Sequence, residues 1–299
     1  MDVAITGASG LIGRALSASL ENDGHTVRRI GRARRDAAPG FIAWDPAEGT
    51  LDDHALDGVD AVVHLAGEGI GEKRWSPEQK RRILESRTKS TVLIAGAMAS
   101  MAEPPRRFLS GSAIGLYGDR GDEVLTEASE RGEGFLADVV EAWESAARPA
   151  VDAGIPTTYL RTGIVQSPDG GALAKLLPLF KVGLGGKMGS GRQWWSWITI
   201  RDEVAAIRWL LDHDLTGPVN LTAPNPVTNA DFAKALGDAL GRPSFLPVPA
   251  FGPRLLLGKE LADGLLFDSA RVVPAALQAA GYEFQDAELT AGLRAALGR

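Results

Sequence analysis

The chain has 299 residues, of which 44% are hydrophobic; its formal net charge is −6 and it contains no cysteine. That length and composition suit one large α/β unit, alone or with a smaller cap, and supply enough apolar residues for a full core. The acidic balance argues against a nucleic-acid partner, and the missing cysteines exclude disulfides, zinc–thiolate sites and a thiol nucleophile. No apolar run reaches membrane-spanning length, and a strand-like run from Asp2 argues against a signal peptide, so a cytoplasmic protein is expected.

Residues Asp2 to Thr6 predict a buried strand, and Leu11 to Leu20 the helix that follows it. His25 to Ile30 predicts a second strand; Ala61 to Leu65 predicts another, introduced by the turn-like Leu56-Asp-Gly-Val-Asp60. Apolar residues recur at helical spacing over Thr88 to Met98, Phe108 to Ala113 returns to strand, Phe135 to Ala147 is helical, and Thr157 to Val165 is a strand again. Strands alternating with helices predict βαβ units and a Rossmann-type, doubly wound parallel sheet with helices on both faces. After Val165 the pattern changes. Gly170-Gly171 and the Gly183 to Gly191 stretch are loop-forming and enclose a helical piece from Leu173 to Phe180. Thr199 with Asp202, and Thr228 with Asp231, have the spacing of helix-capping boxes. Pro218 to Ala223 predicts a last strand, and Pro243 to Pro253 an irregular segment. The expected plan is a dinucleotide-binding domain over 1–165 whose sheet is completed within 198–223, with 166–197 and 224–299 forming a smaller C-terminal substrate cap.

Gly7-Ala-Ser9-Gly10-Leu11-Ile12-Gly13 follows the first strand directly and opens the first helix. Glycine is required where a chain turns tightly and where its backbone must approach a pyrophosphate, and the helix N-terminus offers unpaired N–H groups to the phosphates. The competing reading is a tight strand-to-helix turn with no ligand. At the end of the second strand an NAD site usually carries an acid that accepts from the ribose 2′-hydroxyl. Here the run is Gly31-Arg32-Ala-Arg34-Arg35, with no acid before Asp36. An arginine fork at Arg32 suits a 2′-phosphate, which favours NADP (NADPH) over NAD; a solvated basic loop is the alternative.

Together with His64-Leu65-Ala66-Gly67, the Ser110 to Gly118 stretch and Arg161-Thr162-Gly-Ile-Val165, the glycine turn resembles that of the extended short-chain dehydrogenase/reductase superfamily. Trp44-Asp-Pro46, Arg74-Trp75, Ser86-Arg87, Gly183-Leu-Gly-Gly186, Gly189 to Gln193 and Ser196-Trp-Ile198 are more specifically similar to its atypical branch of "epimerase family proteins", which are nucleoside-diphosphate-sugar epimerase-like. The resemblance implies NADP lying across the carboxyl ends of the strands, with Leu65, Ala66 and Gly67 on the adenosine side. It also implies that Arg87, standing where relatives carry an asparagine, binds the cofactor, as do Arg161 and Thr162 near the nicotinamide.

The superfamily's usual Tyr-x-x-x-Lys proton-transfer pair is missing. Tyr117, Tyr159 and Tyr282 are each followed four residues later by Gly121, Gly163 and Asp286, and the expected positions of the pair hold Phe135 and Val139. A positioned acid–base group contributes about 10²–10⁴ in rate, so another group must substitute if the protein is a catalyst. Ser110 or Ser112 matches the family's catalytic serine, and Tyr117 is the nearest phenol. His64 ends a buried strand and reads as a core histidine; Asp138 and Glu141 read as solvated charges. Trp194, Trp195 and Trp197 form either a stacking wall for a substrate or packing between domains, and Arg74 and Trp75 are candidates for the same cleft. No metal cluster is expected. Two functions stay open: an NADP-dependent oxidoreductase or epimerase-like enzyme acting on a small molecule, and a non-catalytic NADP(H)-binding redox sensor or regulatory partner. A homodimer is compatible with helices flanking such a sheet.

Overall fold

The computed structural model describes residues 1–32, 41–52 and 54–299; Arg34, Arg35 and Asp36 lie outside them. In chain order the elements begin with β1 (Asp2–Thr6), α1 (Leu11–Asn22), β2 (Thr26–Gly31), β3 (Phe41–Asp45), β4 (Thr50–Leu51), β5 (Ala61–His64), α2 (Pro77–Ala99) and β6 (Arg107–Ala113). They continue with β7 (Val124–Leu125), α3 (Phe135–Ser145), α4 (Arg148–Asp152), β8 (Thr157–Thr162), β9 (Ile164–Gln166) and α5 (Gly171–Lys181). The last part holds β10 (Trp194–Trp195), β11 (Trp197–Thr199), α6 (Ile200–Asp212), β12 (Gly217–Leu221), β13 (Val227–Thr228) and α7 (Asn229–Leu240). Short helices α8 (Phe251–Leu257) and α9 (Lys259–Ala262), strand β14 (Arg271–Val272), and helices α10 (Ala275–Ala279) and α11 (Leu289–Ala296) complete it.

Eight strands form one sheet in the order β12-β8-β6-β5-β1-β2-β3-β4. All neighbours are parallel except β3 and β4, which are antiparallel. The fold is therefore a doubly wound α/β sheet. From β1 the chain first winds outward through β2 and β3, then crosses back to β5 and winds the other way. That reversal opens a crevice beyond the carboxyl ends of β1 and β5, where Thr6 is in register with His64. Val3, Ala4 and Ile5 are wholly buried because helices cover both faces. Ile5 packs with Leu16, Leu20 and Ile207 of α1 and α6 on one face, while Ala4 packs with Ile94, Met98 and Phe108 on the other.

Three features depart from the sequence expectations. Strands β3 and β4 were not foreseen, although Ile42 and Trp44 are buried at the two-residue period of a strand. Helix α2 starts at Pro77, where the Ser76 hydroxyl accepts from the Gln79 N–H at 3.2 Å; its polar first half hides the amphipathic pattern that begins near Thr88. The strand expected over Thr157 to Val165 breaks at Gly163. A Cβ there would stand 2.7 Å from the Ser196 carbonyl oxygen, and beyond it β9 leaves the sheet to pair with β11. Thr199 and Thr228 cap α6 and α7 by accepting from the N–H groups of Asp202 and Asp231, each at 3.2 Å. A separate apolar cluster, including Leu177, Trp195, Trp197, Phe232 and Leu293, holds the C-terminal helices together. Among the described residues no helix is long and apolar enough to cross a membrane, and no group of side chains could hold a metal ion.

Candidate functional site

The glycine turn is built for close approach. Gly7 has φ +66°, and a Cβ on it would meet the Leu65 carbonyl oxygen at 2.6 Å; a Cβ on Gly13 would meet the Gly7 carbonyl oxygen at 2.3 Å. Gly10 caps α1 without any side chain, and the first turn carries no acid. The Gly10 N–H bonds Gly7 and the Arg14 N–H bonds Gly10, which leaves the N–H groups of Leu11, Ile12 and Gly13 as the helix's unpaired donors at the crevice. Ser9 is exposed, and its carbonyl accepts from Arg14 Nη1 at 3.1 Å.

The facing wall is fixed by Thr6, whose Oγ1 accepts from the N–H groups of Leu65 and Ala66 at 3.1 and 3.2 Å. The same hydroxyl bonds His64 Nδ1 at 2.7 Å, while His64 Nε2 meets the hydroxyls of Ser90 and Thr91 at 3.2 and 3.0 Å. Burial, reinforced by the charge of Arg87, holds the His64 pKa down to about 3, so it is a neutral tie between strand and helix. Gly31 ends β2, and Arg32 beside it is exposed, with no hydrogen bond or ion pair among the described residues. Every part of this cradle suits a dinucleotide. The three glycines let the turn fold tightly on itself and against the Leu65 carbonyl, the helix donors of Leu11 to Gly13 stay open at its mouth, and the exposed Arg32 guanidinium follows the end of β2.

Joined to the facing wall of the cradle through Arg87, which packs on Gly67 and bonds the Glu68 carbonyl, is a cleft of about 590 Å³ lined by Trp75, Arg87, Ile114, Thr162, Trp194 and Trp195 among others. A larger surface hollow, of about 1660 Å³, lies between residues 46–60 and the C-terminal half of α2; neither hollow is lined by the glycine turn, and of the two only the smaller includes Arg87. Phe135 and Val139 both line the smaller cleft, so an apolar pair stands in its wall at the positions matched to tyrosine and lysine. Trp75 meets Phe135 edge-on at 5.0 Å between centroids and donates its Nε1–H to the Ile70 carbonyl at 2.8 Å. Asp268, also in the wall, is pushed up to about 6 by burial and by the charges of Asp119 and Asp263. Behind the wall, Thr162 Oγ1 donates to Glu203 Oε1 at 2.9 Å. Glu203 is wholly buried, burial raises its pKa to about 8, and its Oε2 has no partner.

Several expected site residues lie elsewhere. Arg161 does not line the cleft. It is buried, clamping Glu144 through Nε and Nη2 at 2.8 and 3.0 Å and donating from Nη1 to the Tyr117 hydroxyl at 2.9 Å. Tyr117 is itself wholly buried and donates to Asn220 Oδ1 at 2.8 Å, so its phenol braces β8 and β12 and does not reach the cleft. Ser112 donates to Glu144 Oε1 at 2.6 Å in the same network, and Ser110 is sealed in the sheet with its Oγ unpartnered. Neither hydroxyl lines the cleft. Trp197 is core: fully buried, it donates to the Asn225 carbonyl at 3.0 Å. Trp194 and Trp195 do reach the cleft, although Trp195 also packs on Phe232. Arg74 is exposed and holds the Leu255 and Leu256 carbonyls of α8 at 2.6 and 3.0 Å, so it ties down that helix. Sequence reasoning missed Asp268 and Glu203. Glu203 stands one residue after the expected capping box, but nothing in its neighbours along the chain marks either carboxylate as buried.

Fold and site define a dinucleotide-binding α/β protein of the short-chain dehydrogenase/reductase type. The chain belongs to the NAD dependent epimerase/dehydratase family, whose sequence profile matches residues 3–221. A domain of unknown function, DUF1731, matches residues 248–296. Epimerase family protein Mb2239 of Mycobacterium bovis is 44% identical over 283 residues, covering 94% of this chain and 93% of its own. The crystal structure of human epimerase family protein SDR39U1 with NADPH superposes with a TM-score of 0.91 at 34% identity, over 100% of this chain and 99% of that one. A nucleoside-diphosphate sugar epimerase from Corynebacterium glutamicum gives 0.82 at 39% identity, over 100% of this chain but 58% of that one.

Proposed function

We propose that the protein is an NADP(H)-dependent oxidoreductase that interconverts a carbonyl and an alcohol on a small molecule with an apolar body, held in the cleft beside the cradle. The observation that carries this reading is the adjacency of a complete glycine cradle, with Arg32 at its edge, to an aromatic-walled cleft. The human relative crystallised with NADPH supports the choice of cofactor. Gly7, Gly10 and Gly13 allow the tight turn that brings the helix N-terminus to the crevice, where the N–H groups of Leu11, Ile12 and Gly13 would hold the pyrophosphate and Arg32 would pair with the 2′-phosphate. When bound, the reduced cofactor supplies a hydride for the carbonyl carbon.

The carbonyl oxygen must then receive a proton, and Phe135 cannot give one. Of the four carboxylates lining the cleft, Glu260 is paired with Lys80, Asp263 with Arg254, and Glu133 is exposed to solvent, whereas Asp268 is held near 6 and can carry a proton close to neutral pH. Trp75, Trp194 and Trp195 exclude water and present flat apolar surface to the substrate. Sugar-nucleotide epimerisation is the less favoured chemistry, because the wall offers four carboxylates (Glu133, Glu260, Asp263, Asp268) against only Arg87 and Lys259 for a substrate pyrophosphate.

The test is titration with NADPH and NADH in wild type and Arg32→Ala, followed by a screen of carbonyl compounds for NADPH oxidation. We expect NADPH to bind at least tenfold more tightly than NADH and the preference to vanish in the variant. No binding of either nucleotide overturns the reading. The apolar Phe135–Val139 wall favours a second one, a redox sensor: tight NADPH binding without turnover of any carbonyl compound would support it.

A further inference from the structure

Arg87 is the one cationic side chain of the cleft that comes from the helices flanking the sheet; Lys259, the other, belongs to the cap. It is half-buried on α2, and its guanidinium carbon lies 4.9 Å from the ring centroid of Trp143. Nη1 alone is used for hydrogen bonds, to the carbonyls of Glu68 and Ile83 at 3.0 and 3.1 Å. Gly67 also packs close against it: a Cβ there would come within 3.2 Å of Cζ. The group is thus immobilised before any ligand arrives, yet Nε and Nη2 have no acceptor among the described residues. Nor does it have a carboxylate within ion-pairing distance; Glu68 influences it from farther away. Arg161, which is more fully buried, has the bidentate partner Glu144 that a buried guanidinium ordinarily requires, whereas Arg87 has none. Burial lowers the pKa of Arg87 only to about 10, so it remains a cation at neutral pH.

We infer that Arg87 is the anchor for an anionic oxygen group of the substrate, so that the cleft takes a compound joining a carboxylate to an apolar, ring-sized body. The geometry sorts the two ends. The carboxylate meets the open donors of Arg87, and the body lies along Ile114, Phe135, Leu136 and the indoles of Trp75 and Trp195. Glu133 and Asp268 on the same wall disfavour the reverse orientation. The cofactor has its own cation at Arg32 and its own phosphate donors on α1, so Arg87 is left over for the second ligand. This inference rests on the proposed function insofar as a substrate is to share the cleft with NADPH.

The probes are benzoate and its neutral counterpart benzamide, titrated into the folded protein with and without NADPH and read by tryptophan fluorescence. Benzoate should bind at least tenfold more tightly than benzamide. Arg87→Met should abolish that preference and Arg87→Lys should keep part of it, while the NADPH Kd changes less than threefold in both. Thermal melts of both variants establish that they fold, and Arg87→Lys decides if the methionine variant does not. Equal binding of the two probes to wild type, or no binding of either, overturns the inference. So does a loss of NADPH affinity of tenfold or more in the variants with the benzoate preference intact, which would place Arg87 in the cofactor cradle. Failure of wild type to bind NADPH overturns the proposed function instead, and the probe preference without cofactor still decides the role of Arg87.

Discussion

Replacing Glu203 by glutamine should change how stability depends on pH. Its carboxyl group is wholly buried, accepts one hydrogen bond from Thr162, and has a pKa raised from 4.5 to about 8 by burial. Between those values the unfolded chain has ionised this group while the folded chain still holds its proton. The folded state therefore binds more protons, and stability falls as pH rises until about pH 8. Each pKa unit corresponds to about 1.4 kcal/mol, so raising the pH from about 6.5 to 8.5 should remove roughly 2 kcal/mol through this one residue. Glutamine keeps the acceptor for Thr162 and, like the protonated acid, leaves one polar group at the Oε2 position without a partner. The comparison thus isolates the charge. The window avoids His64, whose depressed pKa makes it a source of lost stability only as pH falls below about 6.5. Thermal melts across the window should show wild type losing roughly 3 °C more than Glu203→Gln, because an unfolding entropy of about 2.1 cal/mol/K per residue over 299 residues makes each kcal/mol worth about 1.6 °C. Parallel Tm–pH curves for the two proteins would refute the reasoning, because a burial-raised carboxyl cannot be present without the slope.

Other outcomes follow from the same geometry. Arg161→Met strands Glu144 without its bidentate partner and should cost about 3–5 kcal/mol in urea unfolding, with much of the loss recovered when Glu144→Gln is added. Trp197→Ala should cost about 3–5 kcal/mol in urea unfolding, whereas Trp194→Ala, in the partly open cleft wall, should cost far less. Gly13→Ala places a methyl group 2.3 Å from the Gly7 carbonyl oxygen, and its NADPH affinity by fluorescence titration should fall at least about 100-fold as the turn is forced open. If a carbonyl substrate is turned over, its reduction should slow as pH rises through about 6, where Asp268 loses its proton, and Asp268→Asn should remove that dependence in a pH–rate profile.

The glycine turn was legible in the sequence because the constraint is local: Gly7, Gly10 and Gly13 serve one turn of backbone, and their spacing records it directly. The sheet was legible for a similar reason, since a strand buried on both faces, such as Asp2–Thr6 or Ala61–His64, must be apolar almost throughout. The absence of a phenol–lysine pair was equally visible, and Phe135 and Val139 do line the cleft.

What sequence alone left open was the direction in which side chains face. Arg161 and Thr162 are neighbours on one strand, so they project to opposite faces, and only Thr162 reaches the cleft. Trp194, Trp195 and Trp197 are likewise one short motif, yet β10 pairs with β13 and β11 with β9, and only the first two indoles line the cleft. Asp268 and Glu203 carry shifted pKa values because residues remote in the chain remove water from them, and no local pattern encodes that. Composition and spacing along the chain determined that a dinucleotide cradle forms. Only tertiary packing decided which charges remain unpaired beside it, since both burial and partnering depend on contacts between distant segments.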